Sequence, residues 1–161
     1  MNKRLKNFLK GLLSLPVLVL ELAYKARLMD YVTGGRLLGL VPGVPGRVWR
    51  WAWYRLTLAS CGDDLLVDWM AVIKSPRTSV GHRVFIGTFC WIGWADIGDD
   101  VMLGGHVNVL SGARHHGTDL MDVPISRQGG AFTQTRIGPD CWVGNGAVIM
   151  AEVAAGTVVG A

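Results

Sequence analysis

The chain has 161 residues, enough for one compact domain with a core, or for a smaller domain plus an appendage. Glycine is abundant at 22 residues, yet 50% of the chain is hydrophobic, which excludes a disordered glycine-rich tract. The net charge of +4 hides an asymmetry: residues 1–60 carry ten Lys and Arg against only Glu21 and Asp30, whereas residues 61–161 carry six basic and ten acidic residues.

The opening stretch, MNKRLKNFLKGLLSLPVLVLELAY, starts like a signal peptide, positive and then apolar. No A-x-A-type cleavage site follows, because Tyr24, Lys25 and Arg27 stand where one would fall. Pro16 interrupts the apolar run and Glu21 ends it, well short of the roughly 20 residues that a membrane span needs. Residues 1–60 therefore read as a basic, apolar, helical segment that lies on a membrane surface. Within it, residues 47–60, RVWRWAWYRLTLAS, place Trp49, Trp53 and Leu56 at helical spacing among arginines, a pairing found at headgroup level. The competing reading has both helices packing on the rest of the protein or on a neighbouring subunit. Basic residues interleaved with Leu, Val and Trp fit a lipid interface better than a phosphate groove, so no nucleic-acid partner is expected.

From Val67 a short period begins. Apolar residues recur at Val67, Ile73, Val80, Ile86, Ile92, Ile97, Leu103 and Val109, and again at Ile137, Val143 and Ile149, most often six residues apart. Four places after most of them stands a compact or β-branched residue: Ala71, Val84, Cys90, Val101, Val107, Ala113, Cys141, Ala147 and Val153. A helix of about 3.6 residues per turn would scatter such positions around its axis. A hairpin meander would place its turns about every 8 to 12 residues. A period of six instead predicts a β-solenoid in which each hexad is one face of a coil. The recurring Ile and Val fill the interior, a following glycine makes the corner, and the compact residue also points inward. On this reading Cys90 and Cys141 are stack members and not nucleophiles. With Cys61 they form no C-x-x-C pair, and they read as reduced thiols of a cytoplasmic protein.

The hexads resemble those of the hexapeptide-repeat O-acetyltransferases. Residues 137–153, IGPDCWVGNGAVIMAEV, are similar to the segment of sugar and polysaccharide O-acetyltransferases in which a Trp is followed by [IV]-G-x-G-A. The resemblance covers about residues 67–161. It implies a mainly β protein, with a left-handed parallel β-helix of three hexads per coil over residues 61–161 behind the N-terminal helical segment. It also implies a homotrimer that moves an acetyl group from acetyl-CoA to a hydroxyl of a sugar, polysaccharide or glycolipid precursor. Acetyl-CoA would lie in grooves between subunits, and Trp142, Gly144, Gly146 and Ala147 are the expected contacts. The expected location is the cytoplasmic face of the inner membrane.

The repeat is interrupted by a loop, residues 114–135, which begins inside SGARHHGTD, residues 111–119. A long loop thrown out of a regular solenoid is costly to order and is usually functional. The resemblance makes a histidine at such a loop the general base. His116, three residues before Asp119, is the first choice and His115 the second. Asp119 and Asp122 are the expected substrate contacts. A sugar hydroxyl is too weak a nucleophile to attack a thioester quickly, and an imidazole, with an ordinary pKa of about 6.5, can take its proton. General-base catalysis of this kind typically contributes ~10²–10⁴-fold. Backbone N–H groups of residues 144–146 are the expected oxyanion donors. No metal is expected.

Two other readings compete. Some proteins of this fold are zinc-dependent carbonic anhydrases with three histidine ligands from two subunits, which would require His82 or His106 to join the pair. The other is a non-catalytic trimeric scaffold. It is favoured if the further coils and G-N-P-A-type tail, with which the family continues past the mid-repeat residues Gly160 and Ala161, were never present. Either the CoA groove is incomplete or the sequence is a fragment.

Overall fold

A computed structural model describes residues 15–160. Lys3, Arg4, Lys6 and Lys10, the basic start of the expected membrane segment, lie outside the described residues, as does Ala161.

Short strands fall into three parallel sheets. One holds β1 (Ser60–Cys61), β4 (Ser79–Val80), β7 (Ala95–Ile97) and β10 (Thr135–Ile137). The second holds β2 (Leu66–Val67), β5 (Phe85–Ile86), β8 (Met102–Leu103), β11 (Trp142–Val143) and β13 (Val158–Val159). The third holds β3 (Val72–Ile73), β6 (Trp91–Ile92), β9 (Asn108–Val109) and β12 (Val148–Ile149). Consecutive strands lie in different sheets, so the chain visits each sheet in turn. Leu66 thus stacks in register with Phe85, Met102, Trp142 and Val158. This is consistent with a β-helix-like solenoid.

The period of six is a burial pattern. Val67, Ile73, Ile86, Ile92, Leu103, Val109 and Val143 are each 0% exposed. Burial of one such side chain stabilises the fold by about 1.5–3 kcal/mol. The compact residues four places on are buried too, including Cys90 and Cys141. Burial pushes the Cys90 thiol up to about 11, well away from a reactive thiolate. Ala113 departs from the expectation and is exposed, because the chain leaves the stack at this point.

Glycine does not turn each corner as expected. The left-handed residue sits three places after the buried Ile, Val or Leu and is mostly another type: Met70, Arg83, Phe89, Asp100, His106 and Asp140 have φ of 56° to 60°. Apart from Met70, whose N–H bonds to Gly39 O, each of these residues gains a backbone bond to the coil before it, as in His106 N–H to Thr88 O at 2.8 Å and Asp140 N–H to Asp99 O at 2.9 Å. The glycine after the Ile is needed for a different reason. A Cβ on Gly98 would lie 2.6 Å from the Pro139 nitrogen in the next coil.

Three helices precede the first coil: α1 (Leu15–Lys25) packs on α2 (Tyr31–Gly39) and α3 (Gly43–Thr57), and these two pack on the coil. Asp30 caps α2 by accepting from the Thr33 N–H at 2.9 Å. In α3 the Trp53 side chain is fully buried, so it belongs to the core and not to a lipid interface. Arg50 is buried as well. It donates to the carbonyls of Val67 at 3.0 Å, Leu38 at 2.9 Å and Val41 at 2.7 Å, tying α3 to α2 and to the first coil. The packing reading therefore describes Trp53 and Arg50, while Leu56 on the same helix is exposed. The outer face of α1 is different: Leu15, Leu18, Val19 and Leu22 are all exposed. Among the described residues no helix is long and apolar enough to cross a membrane.

Candidate functional site

The loop of residues 114–135 leaves the corner between the third sheet and the first. Thr135, at its end, is buried, and its hydroxyl donates to Leu110 O at 2.6 Å and accepts from Gly112 N–H at 3.0 Å. Two backbone bonds join the arms, Thr133 N–H to Ser111 O at 2.9 Å and Ala131 N–H to Arg114 O at 2.7 Å. The arms approach so closely at the histidines that a Cβ on Gly130 would lie 2.0 Å from His115 O. At the tip, Gln128 accepts from Leu120 N–H at 3.1 Å and donates to Leu120 O and Val123 O, both at 2.8 Å. Side chains replace the sheet partners that the loop backbone lacks. The loop is a built element.

The two histidines have separate surroundings. His116 is exposed and lines a polar cavity of about 380 Å³ with Arg114, Thr118 and Asp119. His115 is half-buried, with its ring 4.8 Å from that of Phe132. Its Nε2 is shielded from solvent and has no hydrogen-bond partner. It lines another cavity, of about 240 Å³, with Lys74, Arg77, Trp91, Trp94 and Ser111. An accessible imidazole beside a carboxylate can take a proton from a bound hydroxyl. A covered one can do so only after its neighbours move.

Asp119 lines the same polar cavity as His116, with no hydrogen bond or ion pair between them, whereas Asp122 lies in a different hollow, at the loop tip with Met121 and Ile125. Trp142, Gly144, Gly146 and Ala147 lie outside the cavities that the histidines line. Trp142 is exposed on the second sheet, in register between Met102 and Val158, and Ala147 is buried in the stack. Two of the three expected oxyanion donors need correction. Gly144 N–H is bonded to Val159 O at 2.8 Å and Gly146 N–H to Gly105 O at 2.9 Å, so neither is free to receive a substrate oxygen. The remaining histidines sit on other corners: His82 Nδ1 accepts from Asp63 N–H at 2.9 Å, and His106 stacks on Phe89 at 4.9 Å. Among the described residues no three His, Cys, Asp or Glu side chains converge as a metal site would need.

Sequence reasoning missed the cations beside the His115 cavity. Lys74 Nζ lies 4.8 Å from the centre of the Trp91 ring, and the Arg77 guanidinium lies 4.0 Å from that of Trp94. The signal was present, since Lys74 and Arg77 fall in the irregular interval between Ile73 and Val80, one coil before the two tryptophans. No family model, curated protein or solved structure matches the chain. What fold and site define is a parallel three-sheet protein with a helical cap and one hydrogen-bonded loop that presents adjacent imidazoles.

Proposed function

We propose that the chain is an O-acetyltransferase on a left-handed parallel β-helix, moving acetyl from acetyl-CoA to a hydroxyl of a sugar, polysaccharide or glycolipid precursor. The observation that carries this reading is the loop itself, pinned at Thr135 and Gln128, which interrupts a regular stack to place His116 in a polar cavity that Asp119 also lines. His116 takes the proton of the acceptor hydroxyl as its oxygen attacks the thioester carbonyl carbon. The carbon–sulfur bond then breaks, the ester forms, and the imidazolium returns the proton to the departing sulfur. Asp119 orients the imidazole or the acceptor.

A homotrimer accounts for the distance between the histidines and the expected acetyl-CoA contacts. Phe85, Met102, Trp142 and Val158 form an exposed apolar row on the second sheet, and Leu120, Met121 and Ile125 are exposed on the loop. Large apolar areas of this kind are normally covered by a partner. Packed against a neighbouring subunit, the row would bring Trp142 to the other chain's loop. The exposed face of α1 would rest on the membrane, at the cytoplasmic side.

The test is release of CoA thiol from acetyl-CoA in the presence of a panel of sugars. His116→Ala removes the activity, and His115→Ala lowers it about tenfold, corresponding to ~1.4 kcal/mol of barrier. Absence of acceptor-dependent release for every sugar tried contradicts the reading.

A further inference from the structure

The cavity at His115 is cationic in a way the acetyl-transfer chemistry does not use. Its lining includes Lys74 and Arg77 but no carboxylate. Neither residue has an ion pair with any described residue, nor does nearby Arg36, whose guanidinium lies 5.3 Å from the centre of the Trp91 ring. Contact with Trp91 and Trp94 holds these side chains in place while leaving their N–H donors uncommitted. One neutral donor lies beside them. Ser111 Oγ already accepts from Trp94 N–H at 2.8 Å, which leaves its own hydrogen to donate. Uncompensated cations with a neutral hydroxyl donor at hand recognise a phosphate.

Trp91 also lines a second cavity, of about 370 Å³, under α2. Its walls are Leu37, Leu40, Met70 and Val72, with Arg36 at the side. This apolar space adjoins the cationic one through the shared indole. A ligand that fills both has an anionic head and an apolar chain.

We infer that these neighbouring cavities, which share Trp91 as a wall, bind a phosphate-bearing amphiphile, its phosphate between Lys74 and Arg77 and its chain against Leu37, Leu40 and Trp91. The inference rests on the acetyltransferase reading only in making this amphiphile the carrier of the acceptor hydroxyl. Charge selects the occupant: an uncharged lipid leaves Lys74, Arg77 and Arg36 without counter-charge, and an apolar peptide does the same.

Binding can be measured without any acetyl transfer, by calorimetry on the full chain. The probes are dodecyl phosphate below its micelle concentration, inorganic phosphate and the uncharged dodecyl glucoside. Dodecyl phosphate is expected to bind at least tenfold more tightly than either of the others. Lys74→Gln and Arg77→Gln each weaken it by about tenfold or more, as the loss of one charge-assisted hydrogen bond predicts. Leu40→Ser reduces the advantage of dodecyl phosphate over inorganic phosphate. All three side chains are exposed, and matching circular dichroism melts establish that the variants fold. Equal binding of dodecyl glucoside, or dodecyl phosphate binding unchanged in both cation variants, overturns the inference. Inactivity towards every sugar with dodecyl phosphate still bound would instead count against the acetyltransferase reading alone.

Discussion

The hydroxyl of Thr135 accepts from the amide of Gly112 at 3.0 Å, closing the excursion that carries both histidines. The same hydroxyl donates to Leu110 O, so one buried side chain satisfies two backbone groups. Thr135→Val keeps the volume but leaves both groups unpaired, at a cost of about 1–3 kcal/mol. Limited proteolysis within residues 114–134 should accelerate in this variant, and Thr135→Ser should restore resistance. Equal cleavage rates for all three proteins would mean that the loop is held some other way.

Arg50 makes a comparable prediction for the helical cap. Arg50→Met fills similar space but removes the donors for Leu38, Val41 and Val67. Urea unfolding should show a loss on the order of 3 kcal/mol. A loss below ~0.5 kcal/mol would show that the cap does not depend on this side chain.

Much of the stack was legible because burial repeats in the sequence at the pitch of the coil. Ile86 and Ile92 are read as interior residues with no partner known. Arg50 was not legible: an arginine among tryptophans looks the same whether it faces headgroups or the carbonyls of Leu38 and Val41. The corners were read incorrectly at Phe89 and His106. Their left-handed backbone is favoured by bonds to the preceding coil, which residue type does not announce. The loop was visible as a gap between Val109 and Ile137. Its internal fixing by Gln128 was not, since a glutamine in a polar run carries no mark of its partners. The Lys74, Arg77, Trp91 and Trp94 cluster needs the coil register before it becomes a cluster at all.

Trp142 tests the oligomer. Because it is 53% exposed in this chain, Trp142→Glu should leave the fold intact while placing a charge in the centre of the apolar row. Light scattering should give a trimer for the parent protein and a smaller species for the variant. A parent chain that is monomeric at micromolar concentration contradicts the assembly.

Val19 and Leu22 test the membrane contact. They are 67% and 63% exposed, so Val19→Glu with Leu22→Glu changes α1's outer face with little effect on packing. Co-sedimentation with anionic vesicles should fall by about tenfold or more, since each buried aliphatic side chain contributes about 1.5–3 kcal/mol. Vesicle binding that is unchanged would assign this face to a protein partner.

The most direct measurement follows the acetyl group itself. Chelator-treated protein is incubated with isotopically labelled acetyl-CoA and acceptor, and the acceptor is analysed by mass spectrometry beside a His116→Ala control. The account predicts one labelled ester formed per CoA released, undiminished by the chelator and absent with His116→Ala. Loss of activity on chelation with recovery on added zinc, or labelled ester formed equally by His116→Ala, would contradict it.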